Sequence, residues 1–142
     1  MPKFSQGTYK PKNLNKYVGK TYPTYRSSWE LQVFRTLDFN ENIIRWGSEL
    51  VKIPYVHPFT GKVCNYVPDL LIEYVNNKNQ TRVELIEIKP MNQSIISEKT
   101  SQKLRETIEI NHAKWKSAHD WAQKQGISFR IMTEKDIFFN KK

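Results

Sequence analysis

The chain has 142 residues, the length of one ordinary domain and enough to bury a core without disulfides or structural zinc. Its one cysteine, Cys64, excludes an intrachain disulfide framework and a cysteine-cluster metal site, and no apolar run approaches the roughly 20 residues of a membrane span. A net charge of +9, from 23 Lys and Arg against 14 Asp and Glu, points to a polyanionic partner, nucleic acid above all, rather than a membrane or a small-molecule substrate.

The start, Met1-Pro2-Lys3-Phe4-Ser5, lacks the apolar core of a secretory signal, so the expected location is the cytoplasm. Residues 1–29 carry Lys3, Lys10, Lys12, Lys16, Lys20 and Arg26 and no acid. To about Thr24 they show neither helical nor strand period, and they interleave the cations with Phe4, Tyr9, Tyr17, Tyr22 and Tyr25. Residues 1–26 therefore read as an extended basic arm on a single domain of residues 27–142. Its cations are candidate DNA contacts, tracking phosphates while rings stack on bases. Alternatively, the rings pack on the domain itself.

Ser27-Ser28-Trp29-Glu30 is a capping-box pattern, and Trp29, Val33, Phe34 and Leu37 continue it as the apolar face of a helix. Asp38 to Asn42 reads as its break. Ile43–Trp46 is a short strand, and Leu50–Val56 is another, with Pro54 marking an edge or bulge. A turn at His57–Lys62 and a return over Val63–Tyr66 make a hairpin. Leu70–Val75 and Arg82–Lys89 are apolar, β-branched strands around the polar turn Asn76–Gln80. From about Ser97 to Gln125 the period is helical, Gly126 is a C-terminal stop, and Ile127–Met132 is a last strand. The order predicts an α/β fold with a mixed sheet flanked by helices.

Asp69 opens one strand and Glu87 lies near the end of the next. Antiparallel pairing sets such strands about 4.8 Å apart, and two carboxylates that close repel unless a cation lies between them. Mg²⁺ takes oxygen ligands and keeps several waters, so one or two carboxylates suffice; Mn²⁺ is expected to substitute. Lys89 is two residues past Glu87, so strand alternation puts it on the same face. An ammonium there can orient a water or offset charge on a pentavalent phosphate. The letters alone carry little. With 14 acids and 17 lysines, an acid-x-Lys triplet is expected about 1.7 times by chance. Weight comes from adjacent strands, a shared face that also carries Val83 and Leu85, and a basic chain. Glu30 can aim at the same point from the first helix, although the capping box alone accounts for a Glu there.

Glu30 on a first helix, then Tyr66-Val67-Pro68-Asp69, then Glu87-Ile88-Lys89-Pro90, resembles the PD-(D/E)xK pattern of the restriction-endonuclease-like superfamily. The spacing, with the Trp115-to-Gly126 helix before a closing strand, looks closest to the TnsA-like transposon endonuclease branch. The resemblance spans about residues 27–135. Over its whole length the chain resembles the head completion proteins of T4-like tailed phages. It implies a restriction-endonuclease-like core and a Mg²⁺-dependent nuclease acting on packaged DNA before tail attachment. Asp69 and Glu87 would bind the metal, with the Ile88 carbonyl as a further ligand, and Lys89 would aid catalysis. Implied partners are DNA and portal or head-completion proteins, in the host cytoplasm and in the virion. The competing expectation is a non-catalytic plug that binds DNA ends or the portal through its arm.

His57, His112 and His119 read as surface histidines, and Trp115 and Trp121 as core. Lys103, Arg105, Lys114, Lys116 and Lys124, interspersed with Glu98, Glu106, Glu109 and Asp120, read as a mixed solvated face of the long helix.

Overall fold

A computed structural model describes residues 6–89, 101–133 and 136. Lys3, Phe4, Pro90 and the predicted start of the long helix at Ser97 lie outside them. The element order is β1 (Gly7–Thr8), β2 (Thr24–Tyr25), α1 (Ser28–Phe39), β3 (Ile43–Ser48), β4 (Ile53–Val56), β5 (Val63–Tyr66), β6 (Leu70–Val75), β7 (Thr81–Ile88), α2 (Gln102–Lys124) and β8 (Ser128–Met132).

The central sheet has the order β3-β6-β7-β8, antiparallel except for the parallel β7–β8 pair, and β4–β5 forms a separate hairpin. This is the predicted mixed α/β arrangement. Strand alternation divides the core in two. Leu70, Ile72, Ile86 and Ile88 pack with Val33, Phe34 and Leu37 of α1. On the other cluster, Leu71 and Leu85 meet Ala118 and Ala122 of α2 with Ile53, Tyr55 and Tyr66 of the hairpin. α2 is capped by Ser101, whose hydroxyl accepts from the Leu104 amide at 3.1 Å. It ends at Gly126, whose φ of 75° is the left-handed conformation that glycine adopts freely. Leu50 to Lys52 stay outside β4, which begins at Ile53.

Asp38 corrects the reading of residues 38–42 as a break. It lies inside α1, fully buried. Its carboxylate accepts from the Tyr9 hydroxyl, from the Lys12 amide at 2.7 Å and from the Asn13 amide at 3.0 Å. Asn13 Nδ2 and Lys16 Nζ then bond the Asp38 carbonyl at 2.7 and 2.9 Å, and Lys16 Nζ also bonds the Asn40 carbonyl at 2.8 Å. Burial raises the Asp38 pKa, but those donors more than offset it, and the carboxyl sits below its ordinary range.

Residues 6–26 are therefore strapped down along the domain. Tyr9 is buried against Phe34 and Trp46, and Tyr17 sets its ring edge-on to Trp46 at 4.9 Å. The Val18 amide bonds the Trp46 carbonyl and the Trp46 amide bonds the Lys16 carbonyl, which adds this segment beside β3. Gly47 permits the approach, since a Cβ there would meet the Val18 carbonyl at 2.5 Å. For Tyr9 and Tyr17 the ring-packing alternative holds. Lys16 holds its ammonium on the carbonyls at the C-terminal end of α1, where a positive charge interacts favourably with the helix dipole.

Removing one partner from a buried charged network leaves several donors unsatisfied. Asp38→Ala is expected to lower unfolding stability by about 3 kcal/mol in urea titration and to open residues 6–26 to trypsin. Unchanged stability and an intact trypsin map would contradict the strap.

Candidate active site

The β6–β7 register pairs Leu70 with Ile86, so the next positions outward are Asp69 and Glu87. Pro68 before them is fully buried and, lacking an N–H, needs no acceptor where the ladder begins. The Ile88 amide donates to Asp69 Oδ2 at 2.7 Å. That bond holds the carboxylate against β7, beside Glu87. Glu87, 9% exposed, is held from the opposite side, where the Tyr66 hydroxyl donates to its Oε1 at 2.7 Å. Lys89 Nζ stands 3.9 Å from Glu87 Oε2. The Lys89 amide bonds the Met132 carbonyl at 2.9 Å, so β8 fixes the end of the motif. Asp69, Glu87, Ile88 and Lys89 thus come together as predicted.

Two buried carboxylates side by side are electrostatically costly. Burial raises the pKa of both. For Asp69, repulsion from Glu87 adds to burial, the Ile88 amide opposes them, and Glu30 contributes a smaller upward push. For Glu87, the Tyr66 hydroxyl, Lys89 and Lys114 pull the other way without cancelling burial. The pair favours taking up positive charge, as a proton or as a cation. Its donor set fits a hard divalent cation that keeps several waters, since oxygen is the only ligand type offered and, among the described residues, no group of three or more His, Cys, Asp or Glu side chains surrounds one point.

Glu30 sits both at the helix start and at the cleft. Ser27 Oγ accepts from the Glu30 amide at 3.2 Å, and Glu30 Oε1 accepts from the Arg26 amide. The same side chain lines a cleft with Arg26, Ser48, Glu49, Asp69 and Ile88. Arg26 is the one described arm cation that borders this cleft. Lys10, Lys12 and Lys20 are exposed. Lys12 lies beside Asp38, about 12 Å along α1 from Glu30 at a rise of about 1.5 Å per residue.

Three residues at the site escaped the sequence reading. Glu49 has φ 54°, an uncommon left-handed conformation for a side chain of its size. Its amide bonds the Asp69 carbonyl at 3.0 Å and its carboxylate lies 3.6 Å from Arg26. Nothing in Gly47-Ser48-Glu49 signals this, because the turn is set by where β3 meets β6. Tyr66 carried no assigned role beyond its place in the motif string. Lys114, read as part of a solvated face, instead stands 5.8 Å from the ring centroids of both Tyr55 and Tyr66. His57 Nδ1 accepts two amides of its own turn, His112 lies against Trp115 and His119 sits beside Asp120.

The chain is 36% identical over 138 residues to the head completion nuclease of Enterobacteria phage T4, covering 90% of this chain and 90% of that protein. Residues 40–134 match the family described as TnsA-like endonuclease N terminal. That span, about two thirds of the chain, contains Asp69, Glu87, Lys89 and the whole central sheet, and the chain belongs to the TnsA-like endonuclease family.

Proposed function

We propose that this chain is a Mg²⁺-dependent deoxyribonuclease that hydrolyses DNA phosphodiesters. The observation that carries the reading is the Ile88–Asp69 hydrogen bond, which presents the carboxylates of Asp69 and Glu87 together with Lys89 at one point. A plug needs no such arrangement, and burying two like charges costs stability that a purely structural protein has no reason to give up.

Asp69 and Glu87 would hold Mg²⁺, or Mn²⁺ in its place, with the Ile88 carbonyl as a further ligand. When bound, the cation polarises a phosphoryl oxygen and acidifies a neighbouring water. Lys89 orients the attacking water and offsets the charge that grows on the phosphorus oxygens. The water oxygen–phosphorus bond forms while the bond to the leaving sugar oxygen breaks. Tyr66 keeps Glu87 in one orientation, so little reorganisation is left to the reaction. Glu30 adds a carboxylate at the cleft, reaching the centre through water. Lys10, Lys12, Lys20 and Arg26 supply positive surface for the DNA backbone.

The name of the T4 relative and the 90% coverage on both sides support a place for this activity in phage head completion. There it would act on packaged DNA before head–tail joining, with portal or head-completion proteins as partners, in the host cytoplasm and then in the virion.

Asp69→Asn and Lys89→Met are each expected to lower cleavage of duplex DNA by at least about a thousandfold while melting as folded proteins. Retained cutting by either variant contradicts the assignment. A pH test follows from the raised carboxylate pKa values. The unfolded chain releases these protons near pH 4, whereas the fold retains them to higher pH, so metal-free stability falls as pH rises above about 4. Mg²⁺ should therefore raise the melting temperature more at pH 8 than at pH 5.5, and Asp69→Asn should melt higher than wild type at pH 8 in EDTA. A Mg²⁺ effect independent of pH would go against it.

A further inference from the structure

Lys114 is an ammonium at the edge of the site. It projects from α2 and sits at equal distance, 5.8 Å, from the ring centroids of Tyr55 on β4 and Tyr66 on β5. Cation–π attraction of this kind holds a cation in place without neutralising it. Among the described residues its Nζ donates no hydrogen bond and has no carboxylate within 4.0 Å. Glu87 feels its charge, with the Tyr66 hydroxyl on Oε1 and Lys89 Nζ 3.9 Å from Oε2. Lys114 is half-buried, so solvent and ligand reach it. A lysine that served only to cover two rings would extend its charge to open solvent. Here two rings from different strands fix the charge beside the motif, on the hairpin side of Glu87.

Given the nuclease reading, on which this inference rests, we propose that Lys114 is a DNA-binding residue of the site that receives the phosphate next to the scissile one. Lys89 and the carboxylate pair serve the scissile phosphate from one side of Glu87. Lys114 stands on the other side, with Tyr55 and Tyr66 as its floor. A contact to a phosphate that does not react is equally strong in the ground and transition states, so it acts on binding rather than on the chemical step. It also anchors the strand relative to Lys89, which sets where the reacting phosphorus comes to rest.

The test uses the full chain and a short duplex. Binding is followed by fluorescence anisotropy in EDTA over a range of salt, and kcat and KM are measured with Mg²⁺. Lys114→Met keeps the apolar cover over the rings and removes the charge, Lys114→Gln removes it with a polar end, and Lys114→Arg retains it. Lys114→Met and Lys114→Gln are expected to raise Kd and KM about tenfold, with kcat within about threefold of wild type. The slope of log K against log salt should become shallower by about 0.9, the loss of one phosphate contact. Lys114→Arg should stay near wild type in each. Unchanged Kd, KM and salt slope in the uncharged variants would overturn the proposal. So would a fall in kcat with KM and slope unchanged, which would make Lys114 a support for Glu87 alone. Wild-type protein that neither binds nor cuts the duplex would instead remove the nuclease reading itself.

Discussion

The site depends on the register of two antiparallel strands. Leu70 pairs with Ile86, and that single choice brings Asp69 to the Ile88 amide. A slip of one residue would turn one strand's side chains to the opposite face and part Glu87 and Lys89 from Asp69. The two apolar clusters prevent the slip, because each face of β6 and β7 has its own partner layer. The same packing that stabilises the sheet therefore holds two carboxylates at a separation they would otherwise avoid. Their mutual repulsion and burial are offset only in part by Tyr66, Lys89 and Lys114. The remainder is what makes the pair receptive to a cation.

A second buried carboxylate shows the opposite solution. Asp38 is surrounded by donors from Tyr9, Lys12 and Asn13 and lies below its ordinary pKa, whereas Asp69 and Glu87 are raised. Asp38 is satisfied within the chain and is structural; the raised pKa values of the Asp69–Glu87 pair favour uptake of a proton or a cation. By tying residues 9–16 to α1, Asp38 also gives the basic segment a fixed path. That path ends at Arg26, where the chain enters α1 and borders the cleft. The strap and the site thus meet at the N-terminal end of α1, through Arg26, Glu30 and Glu49.

Legibility in the sequence followed the range of the interactions. The β6–β7 turn, the strand alternation and the Glu87-Ile88-Lys89 face are local patterns, and they place the motif correctly. The Ser27 cap is local too, and it is present. Asp38, an acid before Phe-Asn, looks like a helix end in the sequence because its partners lie 25 to 29 residues away. Glu49 depends on a left-handed turn imposed by the β3–β6 junction. Lys114 shares a helix with charged neighbours that are solvated, and only the position of the β4–β5 hairpin under α2 separates it from them. The arm was open between stacking on bases and packing on the domain, and its buried tyrosine follows from Phe34 and Trp46.

Anomalous diffraction from a crystal soaked in Mn²⁺ decides whether Asp69 and Glu87 form one cation site. A single peak about 2.1 Å from a carboxylate oxygen of each residue, absent in Asp69→Asn, is the expected result. A clean map around both carboxylates at millimolar Mn²⁺, or a peak that persists in Asp69→Asn, would contradict it.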